Sequence, residues 1–153
     1  MPGTPPVGGT VIRYRYLWKK DANQGDTEGE KDRPVALVIS NGPQDGSCVV
    51  VAITDTEPAR DVPAVEVPEA ERQHIGLDKE RSWVILSEVN EFIWPGPDLR
   101  TIPSRSDRSF EYGRLSRGFF EIVLGTLKAA ILARRMGRVR RDKPCNEILI
   151  SSS

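Results

Sequence analysis

The sequence is poor in histidine and cysteine, the residues that most often act as metal ligands, general bases and nucleophiles. Its 153 residues contain one histidine, His74, and two cysteines, Cys48 and Cys145. A single histidine excludes a two-histidine acid–base pair, and the two distant cysteines form neither a CxxC motif nor a zinc-ligand spacing. We therefore predict no metal site and no cofactor, and we expect both thiols to be free.

Long apolar runs and targeting signals are also missing. No stretch approaches the roughly 20 apolar residues that a membrane-spanning helix needs. The start, MPGTPP, has neither the basic nor the apolar region of a secretion signal. A phosphate-binding loop, an HExxH helix and a Gly-x-Ser-x-Gly elbow are absent as well. We expect a cytoplasmic protein of one domain with no membrane partner.

The net charge is zero, but the two signs are unevenly distributed. Residues 41–98 contain 12 Asp/Glu and 4 Lys/Arg, whereas residues 99–153 contain 5 and 12. This separation predicts a basic surface that could meet a polyanion and an acidic surface elsewhere. Residues 1–8 are predicted to be a disordered start, residues 9–136 the folded domain and residues 137–153 a loose basic tail.

Apolar patterning predicts a sheet. Apolar and polar side chains alternate over Gly9–Trp18, which is typical of a strand with one buried face and which puts Arg13 and Arg15 on the outward face. Val35–Ser40 and Ser47–Thr54 are apolar on both faces, and the turn residues between them predict an antiparallel hairpin. The remaining segments are predicted as strands at Ala64–Val67 and Ser82–Val89, a helical turn at Pro68–Arg72 and an irregular stretch at Phe92–Pro103.

A change of period at Ser116 predicts a long helix, with Ser116 as its N-cap and Gly137 after its last turn. Its apolar stripe consists of Phe120, Val123, Leu124, Leu127 and Ile131. Several short strands followed by one long helix predict a mainly β (α+β) fold, in which the helix packs on a small, partly open β-barrel.

Arg33-Pro34 begins the strand that we expect to be most rigid. Pro34 biases Arg33 towards an extended backbone and, because it has no N–H, belongs at the start of a strand. A guanidinium fixed there can bind a phosphate in a defined orientation, and a structural ion pair is the alternative. The predicted hairpin brings Arg33 near Thr54, at the end of the next strand.

An arginine beside a hydroxyl can bind a phosphodiester and stabilise the extra negative charge of its transition state. RNA supplies its own nucleophile, the 2′-hydroxyl, so a ribonuclease without metal needs only orientation, charge stabilisation and proton transfer. Because the pKa of an ordinary arginine exceeds about 12, charge stabilisation is the expected role of Arg33.

Four motifs occur in a fixed order before the predicted helix: GTV at 9–11, RPVALVIS at 33–40, VVAIT at 50–54 and SWVIL at 82–86. Together they resemble the PemK/MazF-like toxins of type II bacterial toxin–antitoxin systems, over residues 9–135. The resemblance implies an SH3-like barrel with a helix, usually a homodimer. It implies a metal-independent, sequence-selective endoribonuclease, or mRNA interferase, that cleaves single-stranded mRNA and inhibits growth.

The resemblance also implies partners and site residues. A cognate antitoxin would cover the RNA groove with a disordered tail, and the toxin–antitoxin complex would bind DNA. The family's catalytic arginine and threonine fall on Arg33 and Thr54, and the Lys19–Asp32 loop would flank the RNA.

Further substrate-binding candidates are Lys31, Thr56, Arg81 and Glu88. Thr56 could supply a second hydroxyl or cap a turn, Arg81 could contact phosphate or be solvated, and Glu88 could take part in proton transfer. Arg13 and Arg15 could contact RNA or a dimer mate.

Two other functions stay open. One is a gyrase-inhibiting poison on the same fold; such toxins act through a C-terminal Trp-Gly-Ile, whereas this chain ends Ile-Leu-Ile-Ser-Ser-Ser. The other is a non-catalytic RNA-binding or interaction module.

Overall fold

The computed structural model describes residues 4–19, 31–41, 45–77, 80–103, 109–133 and 137–141. Strands and helices follow one another in these ranges as β1 Thr10–Tyr16, β2 Lys31–Ser40, β3 Ser47–Thr54, β4 Ala64–Glu66, α1 Glu69–Ile75, β5 Trp83–Ile85, β6 Glu88–Ile93, β7 Glu111–Arg114, α2 Arg117–Leu132 and β8 Gly137–Arg140. No helix within these ranges is both long and apolar enough to cross a membrane.

The strands form one sheet in the order β4-β5-β3-β2-β1-β7, with β6 paired to β3 and β8 paired to β6. Every pairing is antiparallel except that of β6 with β8. The predicted hairpin of β2 and β3 is present, and the mainly β (α+β) class is confirmed. Among the described strands the sheet does not close on itself.

Strands β2 and β3 are apolar on both faces because a separate hydrophobic core covers each face of the sheet. One core combines alternate residues of β1–β3, such as Val11, Ala36 and Val51, with the buried side of α2. The other core combines the intervening residues, such as Tyr14 and Val35, with aromatic side chains of the segment around β6. Successive side chains of a strand point to opposite faces, so β2 and β3 need apolar residues at nearly every position.

Helix α2 begins as predicted, because the Ser116 hydroxyl accepts a hydrogen bond from the Phe119 backbone N–H at 3.3 Å. Its buried residues are Phe119, Val123, Leu127 and Ala130. The predicted stripe was therefore partly wrong: Ile131 is 49% exposed, and Phe119, which was not in the stripe, is buried. Gly137 does not follow the last turn of the helix, since Ala133 is the C-cap and Gly137 begins β8.

The predicted strand Ser82–Val89 is two strands, β5 and β6. Both pair with the same edge of β3, β5 at Ile53–Thr54 and β6 at Ser47–Val50. The register shifts between the two pairings, and Leu86 and Ser87 take up the additional chain. The prediction also ended the sheet too early, because Phe92 and Ile93 still belong to β6. Helix α1, at Glu69–Ile75, is longer than the helical turn predicted at Pro68–Arg72.

The C-terminal segment differs most from its prediction. Gly137–Arg140 form a strand parallel to β6 instead of the start of a loose tail. Arg138 and Arg140 lie 3.3 and 4.0 Å from the Glu91 carboxylate, and Arg141 lies 3.0 Å from Asp98. The basic end of the chain is thus partly neutralised by the acidic middle.

Other predictions fall partly outside the described residues. These include residues 1–3 of the predicted disordered start, most of the Lys19–Asp32 loop, Cys145 and residues 142–153 of the tail. Within the described start, Pro5 is buried, Val7 is 53% exposed, and the Val7 carbonyl accepts from the Thr10 N–H at 3.2 Å in the turn that leads into β1. Cys48 is a free, buried thiol, and burial raises its pKa to about 11.

The ion pair of Asp98 with Arg141 generates a first prediction. Arg141→Met leaves a buried carboxylate without its nearest guanidinium, and we expect a loss of about 3 kcal/mol in the free energy of unfolding at neutral pH. Burial raises the pKa of Asp98 although Arg141, Arg100 and Arg15 oppose the rise, and the substitution should raise it further. A carboxyl group with a raised pKa destabilises the folded state while it is ionised, and protonation removes this penalty. The loss of stability in the variant should therefore shrink as the pH falls towards about 4.

Urea unfolding of the variant at several pH values measures both effects. The matched control is Arg138→Met in the adjoining strand β8, whose ion pair is more exposed and should contribute less than about 1 kcal/mol. Equal losses in the two variants, or a loss that is independent of pH, would contradict the assignment.

Candidate functional site

The first half of β2 and the last residue of β3 bring Arg33 and Thr54 together. The ladder pairs Val35 with Ala52, and the same register continued by two residues sets Arg33 opposite Thr54. Both residues line a cleft of about 380 Å³, together with Arg13 of β1, Leu77 just after α1, and Ile102, Pro103 and Tyr112. The predicted spatial relation between the arginine and the hydroxyl is therefore present, and their catalytic role stays a prediction.

Arg33 points to the aromatic side of the sheet. It alternates in phase with Val35 and Leu37, which belong to the core that contains Tyr14 and Tyr16. Its guanidinium carbon lies 5.2 Å from the centre of the Trp18 ring, within the range of a cation–π interaction. The prediction that Arg33-Pro34 begins the strand was wrong, because β2 begins at Lys31 and Arg33 pairs with Tyr14 inside the ladder. The Arg33 side chain is half-buried, between this core and the cleft.

Thr54 is a half-buried residue whose hydroxyl oxygen accepts a hydrogen bond from the Thr56 N–H at 3.1 Å. Turn capping, expected of Thr56, is thus done by Thr54, and Thr56 is exposed in the turn that follows β3. Because the Thr54 oxygen acts as acceptor in this bond, its own hydrogen can still be donated to a ligand.

A charged network that the sequence did not predict forms part of the cleft. Asp32 lies 3.9 Å from the Arg13 guanidinium and 3.6 Å from that of Arg100, and Arg13 donates to the Tyr112 hydroxyl at 3.3 Å. Arg13 itself lines the cleft, and its contact with RNA or a dimer mate stays a prediction. Asp32 could have been suspected from its place beside Arg33, but Arg100 and Tyr112 lie in a region without a periodic pattern.

Arg81 is held away from the cleft lining by two carboxylates. It donates twice to Glu66, at 2.9 Å for each bond, lies 3.9 Å from Glu57 and stacks on Trp83 at 4.8 Å. The hydrogen bonds from Arg81 lower the pKa of Glu66, and the same bonds raise the pKa of Arg81. The neighbouring Ser82 lines the cleft, whereas Arg81 does not.

Glu88 also lies outside the cleft lining. Its carboxylate accepts from the Lys19 backbone N–H at 2.7 Å and from the Tyr16 hydroxyl at 3.5 Å. Burial, followed by the charge of Glu88, raises the pKa of Tyr16, whereas the charge of Arg33 lowers it. Glu88 therefore belongs to the surroundings of Arg33 on the aromatic side of the sheet. The Lys31 backbone pairs with Tyr16, and the Lys31 side chain lies outside what the structure describes.

Comparison with known proteins gives no independent assignment. No model of a protein family matches this chain, and no curated protein matches it. Among the described residues, no group of three or more His, Cys, Asp or Glu side chains is placed to hold a metal ion. The features that bear on function are therefore the cleft and the three motifs that contribute to its lining, at residues 33–40, 50–54 and 82–86.

The mixed charge of the cleft generates a second prediction. Its lining contains Arg13 and Arg33 but also Asp32 and Asp55, so cations and anions offset each other. Asp32→Asn removes one negative charge beside Arg13, and we expect inorganic polyphosphate to bind about fivefold more tightly at low salt. The gain should fall as salt is added, because exposed charges are screened.

Isothermal titration with polyphosphate measures this affinity. Asp61→Asn is the matched control, because Asp61 is an exposed acid that lines a separate groove beside α2. Equal tightening in both variants would contradict a specific role of the cleft in binding anions.

Proposed function

We propose that this protein is a metal-independent, sequence-selective endoribonuclease that resembles the PemK/MazF-like toxins and cleaves single-stranded mRNA. The observation that carries the proposal is that Arg33 and Thr54, from the two motif-bearing strands, line one cleft. Its volume of about 380 Å³ falls within the range of pockets that hold small ligands, roughly 300–1,000 Å³. One nucleotide of an extended RNA strand is a ligand of this size class.

The chemistry requires little from the protein beyond positioning and charge. The 2′-oxygen of RNA forms a bond to phosphorus while the P–O5′ bond breaks, giving a 2′,3′-cyclic phosphate and a 5′-hydroxyl. The proton lost by the 2′-hydroxyl is balanced by the one that the 5′-oxygen gains. The Arg33 guanidinium binds the non-bridging oxygens as charge accumulates on them, and the Thr54 hydroxyl donates to the same group.

The finer family features belong to the same proposal. We propose that the open sheet and α2 correspond to an SH3-like barrel with its packed helix, and that the protein acts as a cytoplasmic homodimer. A cognate antitoxin would hold it inactive and would bind DNA together with it. The order of the four motifs, residues 9–11, 33–40, 50–54 and 82–86, supports these features.

A non-catalytic RNA-binding or interaction module is the second candidate, and one observation favours it. Asp32 lies near both Arg13 and Arg100, and Asp55 adds another carboxylate to the cleft lining. Carboxylates beside a bound phosphate oppose the negative charge that develops in the transition state, and they affect contacts to the bases less. Binding of RNA without cleavage would identify this alternative.

Substitution of the two central residues tests the nuclease. Arg33→Ala should reduce cleavage of mixed single-stranded RNA at least about 100-fold, because a charge-stabilising donor is lost. Arg33→Lys keeps the charge but loses the planar fork and should recover only part of the rate. Thr54→Val, which keeps the shape of the side chain, should lower the rate about tenfold or more.

The assay follows RNA length and the chemistry of the new ends in excess EDTA. Two matched controls should cleave like the unsubstituted protein: Arg60→Ala, an exposed arginine beside α2, and Thr126→Val, whose hydroxyl bonds within that helix. Undiminished cleavage by Arg33→Ala would remove Arg33 from the mechanism. Binding without any product by the unsubstituted protein would replace the nuclease with the binding module.

A further inference from the structure

The chain just beyond β1 is fixed by side chains of β6. Asn90 is fully buried, accepts from the Leu17 N–H at 3.0 Å and donates to the Leu17 carbonyl at 2.8 Å. The Lys19 N–H, two residues after Leu17, donates to the Glu88 carboxylate at 2.7 Å. These bonds replace the strand ladder, which ends at Tyr16, and they hold the backbone on both sides of Trp18.

The fixed backbone sets the position of the Trp18 ring. The ring lies edge-on to Tyr16, with 4.9 Å between ring centres, and its centre is 5.2 Å from the Arg33 guanidinium carbon. Arg33 reaches this place from the neighbouring strand, where it pairs with Tyr14. The guanidinium is therefore placed by the β1–β2 ladder, whereas the ring lies two residues beyond the end of β1 and is placed by the bonds from β6.

We propose that Trp18 is a positioning residue for Arg33, holding the guanidinium in the orientation that binds phosphate. This inference rests on the proposed nuclease function. Contact with the ring restricts the torsions of a long, flexible side chain. A guanidinium has several N–H donors in a fixed fork, so N–H groups that do not face the ring can bind phosphate oxygens.

The inference also gives Glu88 and Asn90 a role. Glu88 was predicted to contact substrate or to transfer a proton, but its bonds go to the Tyr16 hydroxyl and the Lys19 backbone. Both residues extend from β6 and fix the backbone that carries the Trp18 ring, Asn90 at Leu17 and Glu88 at Lys19. Local sequence patterns do not predict this support, because Glu88 and Asn90 are about 70 positions from the residues that they hold.

Two substitutions separate stacking from packing. Trp18→Phe keeps an aromatic face, whereas Trp18→Met fills a similar space without one. If the ring positions Arg33, the Met variant should lose about 5- to 20-fold in kcat with little change in KM, and the Phe variant should stay within about threefold of the unsubstituted protein. A packing role predicts equal behaviour of the two variants, and that result would overturn the inference.

A measurement that does not depend on cleavage accompanies the kinetics. The NMR signal of the Arg33 Nε–H proton, assigned by its disappearance in Arg33→Lys, should be shifted upfield by the ring current of Trp18. It should move towards the position of a free arginine in Trp18→Met and remain upfield in Trp18→Phe. An unmoved signal in Trp18→Met would overturn the inference. If the unsubstituted protein cuts no RNA, the proposed function fails, and the Arg33 signal alone then decides whether Trp18 orients the guanidinium.

Discussion

The antiparallel pairing of β2 with β3 is the interaction on which the rest of the structure depends. Both strands are covered on both faces, so a slip of one residue would exchange the side chains of the two cores. The pairing of Val35 with Ala52 therefore has a strongly specified register. That register sets Arg33 opposite Thr54, and it gives β3 a free edge long enough to bind both β5 and β6. The geometry of the candidate site is a consequence of core packing.

Charge has a more local role than composition indicates. The acidic middle and the basic end of the sequence meet within the molecule, where Arg138, Arg140 and Arg141 contact Glu91 and Asp98. These contacts attach β8 to the rest of the domain and reduce the basic charge that remains for a polyanion. In the cleft, Asp32 likewise lies beside Arg13 and Arg100. A phosphate bound there must compete with carboxylates, so the attraction depends on orientation more than on net charge.

Arg33 is better understood by the elements that surround it than by its position next to Pro34. Pro34 begins the doubly covered part of β2, Trp18 lies against the guanidinium, and β6 supports Trp18 through Asn90 and Glu88. Three segments distant in sequence thus limit the freedom of one side chain. An arginine held in this way loses less conformational entropy when it binds a phosphate than a solvated one does. Such preorganisation is what a nuclease without a metal would require.

The sequence by itself determined the β-rich class, the β2–β3 hairpin, the N-cap of α2 and the meeting of Arg33 with Thr54, because each follows from local periodicity, turn residues or capping. Sequence reasoning placed Arg81 and Glu88 among the substrate contacts, but neither lines the cleft. Arg81 is bound by the Glu66 carboxylate, and Glu88 accepts from the Tyr16 hydroxyl and the Lys19 backbone N–H. Only the tertiary structure decided the split of β5 from β6, the parallel strand β8, the charged network of Asp32 and the support of Trp18. All four depend on contacts between residues far apart in the chain, and neither helical nor strand periodicity carries information about which distant segments pack together.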